Sequence, residues 1–93
     1  MEFSYIVMPT AVSLNNDLNP FDKLLYANVF SLTKQEGYCW ATNKHLATLS
    51  CGSVANVKKS LKKLKELNYL IVETDNKKPL RLRRKIMINY RIL

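Results

Sequence analysis

Glycine, proline, cysteine and histidine are all scarce in this sequence. Its 93 residues include two Gly, three Pro, two Cys and one His. Few Gly and Pro, together with 47% hydrophobic residues, exclude a disordered or low-complexity chain and indicate a folded globular domain. A chain of this length has room for one small core and little room for a large enclosed active site. We therefore expect a single domain over residues 1–93 whose function lies on its surface or in a complex.

Long hydrophobic runs are absent as well. No run approaches the roughly 18 residues that a membrane-spanning helix needs. The N-terminus, MEFSYIVMPT, lacks the basic start and small-residue cleavage site of a signal peptide. We therefore expect a cytoplasmic protein. Cys39 and Cys51 fit that compartment as reduced, buried small side chains, with one disulfide between them as the alternative.

The sequence also lacks the residue clusters that hold metals or phosphates. Cys39, His45 and Cys51 are spaced C-x5-H-x5-C, without the close ligand pairs or the fourth ligand of a zinc site. The seven acidic residues include no cluster for Mg²⁺, and no Gly-rich loop is present to hold a phosphate. His45 has no acid or nucleophile at motif spacing, so we interpret it as a surface residue or a neighbour of a phosphate. The sequence predicts a protein that is not an enzyme and that uses no metal or cofactor.

Acidic residues are few in the second half of the chain, where the basic residues concentrate. The net charge is +8 and the isoelectric point is about 9.7. Residues 1–46 contain three basic and four acidic residues, whereas residues 47–93 contain twelve basic and three acidic ones. The second half thus has a net charge of +9 and the first half −1. This asymmetry favours a polyanionic partner, nucleic acid first and an anionic membrane second.

Capping residues and apolar spacing predict three helices. Asn19-Pro20 begins a first helix of about 14 residues, with Asn as N-cap and Pro at the first helical position. Thr42-Asn43 begins a short second helix, which Cys51-Gly52 ends. Ser53 caps a third helix that ends near Asn68, a residue that tolerates left-handed backbone. The apolar positions of that helix are 54, 57, 61, 64 and 67, one face of an α-helix.

Strand signals flank these helices. FSYIVM, residues 3–8, reads as a strand or extended arm, and Tyr38-Cys39-Trp40 as a short β-like segment. The segment YLIVET, residues 69–74, and the segment RRKIMINYRIL, residues 83–93, predict a hairpin with a basic tip, in which residues 86, 88, 90 and 92 share one face. The predicted fold is mainly α with a β-hairpin wing: a winged helix-turn-helix of three helices and a two- to three-stranded sheet.

The run GYCWATNKHLATLSCGSVANVKKSLKKLKELNYLIVE and the upstream run YIVMPTAVSLNNDLNPFDKLLYANVFSLTK carry a resemblance to a known family. They resemble the N-terminal winged helix-turn-helix domains of phage and plasmid replication proteins, the initiators and replisome organisers. This resemblance implies a DNA-binding protein of a mobile genetic element that acts in replication, as an initiator or as an accessory factor. Departures from the family pattern are Val54 after the cap and Asn68 in place of the usual Gly.

The third helix is the predicted recognition helix, because its outward positions are small, polar or basic. Asn56 can pair bidentately with adenine, Lys59 can donate to guanine or phosphate, and Ser53 and Ala55 allow close approach. These four are the predicted base contacts. Other outward and basic residues are predicted to contact phosphates: Lys44, Ser60, Lys62, Lys63, Lys77, Lys78, Arg81, Arg83, Arg84 and Lys85.

Other interpretations of the same helix are weaker. A solvated lysine face that binds nothing would not account for the +9 charge of the second half. A coiled coil needs a longer apolar stripe, and a membrane-surface helix would remove the stripe from the core. Four aromatic residues, if exposed, offer a further way to bind nucleic acid, by stacking on single-stranded bases: Tyr38, Trp40, Tyr69 and Tyr90. In this fold, however, Trp40 and Tyr69 more often pack against the recognition helix.

Several functional questions stay open at the sequence level. Duplex DNA is the favoured partner, with single-stranded DNA as the second choice. The alternatives to a replication role are a sequence-specific transcriptional regulator and a subunit that contacts a polymerase, primase or helicase. A homodimer could form through the N-terminal arm or the last strand, MINYRIL, and the sequence does not choose between them.

Overall fold

The computed structural model describes residues 8–34, 36–75 and 83–92 of the chain. Within them lie four helices: α1 (Thr10–Ser13), α2 (Pro20–Thr33), α3 (Asn43–Leu49) and α4 (Val54–Glu66). Strands β1 (Leu70–Asp75) and β2 (Arg83–Ile88) follow, and then a 3₁₀ turn, Tyr90–Ile92. The predicted helices are α2, α3 and α4, and the fold class is confirmed; the short helix α1 was not predicted. The predicted strand or arm at residues 3–8 lies outside the described residues except for Met8.

The N-termini of the three long helices are capped as their sequences predict. The Asn19 side chain accepts from the Asp22 backbone N–H at 2.8 Å, and the Asp22 carboxylate accepts from the Asn19 N–H at 3.1 Å. This reciprocal pair is a capping box. Thr42 and Ser53 cap α3 and α4 without a reciprocal bond, each with its side-chain oxygen accepting a backbone N–H three residues on.

Helices α3 and α4 both end in a left-handed residue. At the end of α3 the left-handed residue is Cys51, with φ of 56°, and at the end of α4 it is Asn68, with φ of 65°. The following residues donate back into each helix, Gly52 N–H to Ala47 at 3.0 Å and Tyr69 N–H to Leu64 at 2.9 Å. These are Schellman ends. Asn68 is thus the left-handed helix end that the sequence predicts. Gly52 has a different role, because it lets the ring of Phe21 pack close to the backbone, where a side-chain carbon would overlap the ring.

Strands β1 and β2 form an antiparallel hairpin in the register Leu70 opposite Ile88 to Asp75 opposite Arg83. Cys39 adds a third, single-residue rung, because it exchanges two backbone hydrogen bonds with Ile86, of 2.8 and 3.0 Å. The predicted β-like segment around Cys39 therefore joins the sheet. Both cysteines are free, and Cys39 is buried, but Cys51 is exposed, contrary to prediction.

Strand β2 ends at Ile88, earlier than the sequence predicts. The Asn89 side chain accepts from the Arg91 N–H at 3.3 Å and donates to the Asn68 carbonyl at 2.8 Å, which turns the chain out of the ladder. Ile88 is buried as predicted, but Tyr90 is 65% and Ile92 41% exposed. The prediction that residues 86, 88, 90 and 92 share one face of a strand is thus wrong beyond Ile88.

The core lies where α2, α3 and α4 meet the hairpin. Val57, Leu61 and Leu64 of α4 are buried as predicted, but Val54 and Leu67 are 39% and 36% exposed. The remaining buried cluster comprises Val12, Leu18, Leu25, Tyr26, Val29, Cys39, Leu46, Ala47, Tyr69, Leu70, Ile86 and Ile88. Among the described residues, no helix has both the length and the apolar composition to cross a membrane.

Candidate nucleic-acid interface

The N-terminal turns of α4 present the predicted base-contacting residues together on the surface. Ser53, Ala55, Asn56 and Lys59 are all exposed. The Ser53 hydroxyl accepts from the Asn56 N–H at 3.1 Å, so this turn of the helix is fixed. Lys59 follows Asn56 by three residues and Ala55 by four, so it neighbours both on the surface of the helix. The cap leaves the Asn56 amide and the Lys59 ammonium directed to a common surface.

An open groove of about 240 Å³ runs beside this surface, between the N-terminus of α2 and α4. The groove is lined by residues at the start of α2 and by residues of α4: Asn19, Phe21, Asp22, Asn56, Lys59, Ser60 and Lys63. Because Phe21 also packs against Gly52 in the turn before α4, the groove is bounded by the helix-turn-helix itself.

Asp22 connects α2 to the recognition helix. Its carboxylate is 1% exposed and accepts hydrogen bonds from the Ser60 hydroxyl and from the Lys63 ammonium, the latter at 2.6 Å. Burial of the carboxyl raises its pKa, but the hydrogen bonds from Lys63, Ser60 and the Asn19 N–H outweigh burial and hold the pKa of Asp22 below its usual value. The carboxylate therefore stays charged and fixes how α4 sits on α2.

Two residues predicted to contact phosphate, Ser60 and Lys63, are instead hydrogen-bonded to Asp22. Ser60 was placed on the outward side of the helix, but it is 3% exposed and its hydroxyl donates to Asp22, so the outward placement is wrong. Lys63 is 40% exposed, and its charge is already compensated by Asp22. Asp22 was not among the predicted site residues, although its position in the capping box placed its carboxylate at the start of α2.

Arg84 of the wing is engaged with α3. Its guanidinium donates to the Asn43 side-chain oxygen at 2.7 Å and to the Ala41 carbonyl at 2.8 Å. Burial lowers the pKa of Arg84, partly offset by the nearby Cys39. The residue was predicted to contact phosphate, but the structure uses it to join the hairpin to the start of α3.

The other predicted phosphate contacts are placed as follows. Lys44 and Lys62 are exposed. Lys85 lies with its ammonium 4.8 Å from the centre of the Tyr38 ring and 5.8 Å from that of Trp40. Lys77, Lys78 and Arg81 lie outside the described residues, and of Arg83 only the backbone, in β2, is described. Lys58 and Lys65 are also exposed on α4, although neither was among the predicted outward positions.

The four predicted aromatic residues differ in exposure, and Tyr38 is half-buried with its ring centre 4.8 Å from that of Trp40. Tyr69 is buried and accepts from the Asn15 amide at 2.7 Å, which excludes it from stacking on bases. Trp40 is 43% exposed, with its indole N–H donating to the Glu36 carboxylate at 2.8 Å. Tyr90 is exposed with its ring against Phe30.

Comparison with known families agrees with this geometry. A family model described as a helix-turn-helix domain matches residues 15–70, which is more than half of the chain. The matched region begins before α2 and ends in β1, so it contains the capped turn between α3 and α4 and the exposed end of α4. Neither the curated proteins nor the solved structures give a significant match. The chain therefore belongs to the helix-turn-helix domain family, a membership that supports DNA as its binding partner.

Proposed function

We propose that the protein binds duplex DNA with the N-terminal end of α4 in the major groove. The observation that carries this proposal is the joint exposure of Ser53, Ala55, Asn56 and Lys59 at the end of a capped helix in a helix-turn-helix. In such motifs the N-terminal residues of the second helix contact base edges. Asn56 supplies the amide for adenine, and Lys59 donates to guanine or to phosphate.

Phosphate contacts come from the basic residues around this helix. Lys44 is exposed on α3 and Lys62 on α4. Lys77 and Lys78 belong to the segment that joins the two wing strands. Lys63 and Arg84 act instead as positioning residues, since their charged groups already have partners in Asp22 and in Asn43 and Ala41. Their loss would misplace α4 or the wing in addition to removing charge.

We further propose that this DNA binding serves replication in a mobile genetic element, as an initiator or as an accessory factor beside a polymerase, primase or helicase. The support is the resemblance of residues 5–34 and 37–73 to the DNA-binding domains of replication proteins. Transcriptional regulation is the competing role, because fold alone does not determine function.

Fluorescence anisotropy with matched double- and single-stranded oligonucleotides tests DNA binding. The expected result is duplex binding that weakens steeply between roughly 50 and 200 mM salt, because the basic residues release counterions from the phosphates. Absence of binding to either oligonucleotide at low salt would refute the proposal. A selection of bound duplexes from a random library then distinguishes the roles, since a strong consensus indicates an origin or promoter binder and no consensus indicates an accessory factor.

A further inference from the structure

The root of the wing carries an aromatic and cationic cluster formed by Tyr38, Trp40 and Lys85. The Tyr38 and Trp40 rings meet edge to face with centres 4.8 Å apart, and the Lys85 ammonium lies over both. The backbone pairing explains the cluster. Because Cys39 pairs with Ile86 in an antiparallel bridge, Trp40 and Lys85 lie opposite each other, and residues 38 and 40 share a face.

Trp40 is held in one orientation and yet stays accessible. Its indole N–H donates to the Glu36 carboxylate at 2.8 Å, and 43% of the residue is exposed. It lines an open hollow of about 410 Å³ together with Leu32, Glu36 and His45. A second hollow, of about 300 Å³, places Trp40 beside Thr74 and Arg84 of the wing. Both volumes lie at the lower end of the range for sites that hold small ligands.

We propose that this cluster, named here the wing-root platform (Tyr38, Trp40 and Lys85), is a stacking site for one unpaired nucleobase of a partly single-stranded DNA. A base has a flat π face that matches the indole, whatever its sequence. Lys85 supplies the cation for the phosphate that adjoins the base. Glu36 at the other edge of the indole repels phosphate, so the neutral base and not the backbone occupies the hollow.

This inference rests on the proposed DNA binding and deepens it. It requires that the strand leaving a duplex bound by α4 pass the root of the wing, so that its first unpaired base reaches Trp40. The platform thus predicts a preference for a duplex with a single-stranded tail over the same duplex with blunt ends.

The chain contains one tryptophan, so intrinsic tryptophan fluorescence reports on this site alone. The tailed duplex is expected to quench Trp40 fluorescence, and the blunt duplex is expected to leave it unchanged. By anisotropy, the wild type should bind the tailed duplex about 5- to 150-fold more tightly than the blunt one, the effect of one stacked base. Trp40→Leu should remove this increment and leave blunt-duplex binding intact, Trp40→Phe should keep part of it, and Tyr90→Leu, at another exposed aromatic residue, should keep all of it.

The outcomes separate the two proposals. Equal wild-type affinity for tailed and blunt duplexes, or equal losses on both for Trp40→Leu, would overturn the platform and leave duplex binding intact. Failure of the wild type to bind the blunt duplex would overturn the proposed function instead. The platform is then decided by Trp40 quenching with a single-stranded oligonucleotide, where unchanged fluorescence would reject it.

Discussion

At the scale of single residues, Asn56 is the side chain on which base readout depends. Its neighbours Val54 and Ala55 offer no hydrogen-bonding side chain, and Lys59 suits phosphate as well as base. We expect Asn56→Ala to lower affinity for a preferred duplex by about 1 to 3 kcal/mol and affinity for unrelated duplexes far less, because one bidentate pair with adenine is lost. Competition anisotropy with both duplexes measures the difference.

Lys62→Ala is the matched control for that substitution, since Lys62 is exposed on the same helix. It should weaken binding on all sequences alike. A uniform loss from Asn56→Ala as well would mean that α4 holds the DNA without reading its bases.

Tyr26, unlike the exposed residues of α4, has a buried polar group and no part in the proposed DNA contacts. It is fully buried, and its hydroxyl has no hydrogen-bond partner within the described part of the chain. Burial, together with the nearby Tyr90 and Tyr69, raises the pKa of Tyr26 to about 12. We expect Tyr26→Phe to raise the free energy of unfolding by about 1 kcal/mol, because an unsatisfied buried hydroxyl is removed. Urea denaturation measures it, and a loss of stability would show that the hydroxyl is hydrogen-bonded in solution.

At the scale of elements, the anchoring of α4 on α2 through Asp22 makes stability depend on pH. The pKa of Asp22 is lowered from 3.8 in the fold, so its contribution is present above that value and is lost as the pH falls through the lower pKa of the folded state. We expect the free energy of unfolding to fall below about pH 4 in the wild type, and to fall less in Asp22→Asn. Urea denaturation at neutral and acid pH measures both slopes.

Asp22→Asn should also lower stability at neutral pH by about 1 to 3 kcal/mol, because charged hydrogen bonds to the buried carboxylate are lost. The exposure of Lys63 limits the Coulombic part of that loss. Asp17→Asn, at an exposed acid between α1 and α2, is the control and should leave the acid slope unchanged. Identical slopes in the wild type and Asp22→Asn would show that Asp22 does not anchor α4.

The elements themselves were largely predictable because their signals are local. Asn19, Thr42 and Ser53 are caps that identify helix starts within a few residues of sequence, and Asn68 marks an end in the same manner. The side-chain orientations that differ from the predicted ones are set by tertiary contacts. Ser60 is buried because Asp22, distant in sequence, requires a donor, and Arg84 turns inward because Asn43 and Ala41 accept its hydrogen bonds.

At the scale of the whole molecule, the basic side chains divide into exposed ones and ones that are bound within the protein. The net charge of +9 in residues 47–93 includes Lys63 and Arg84, whose charged groups are bound within the protein. Counterion release depends on basic groups that reach phosphates, so the salt dependence of DNA binding should reflect the exposed group only. Net charge from sequence alone therefore overestimates the number of phosphate contacts.

This division yields a comparison between adjacent lysines of α4. The logarithm of the association constant falls with the logarithm of salt concentration with a slope of about −0.9 for each phosphate contact. We expect Lys62→Gln to reduce the magnitude of that slope by about 1 and to leave stability unchanged, because Lys62 is exposed. Lys63→Gln should change the slope less and lower the free energy of unfolding, because it leaves the buried Asp22 carboxylate without its ammonium partner. Salt titrations by anisotropy, with urea denaturation of each variant, measure both quantities. Equal slope changes with unchanged stability in the two variants would show that Lys63 contacts phosphate as Lys62 does and that its ion pair with Asp22 does not anchor α4.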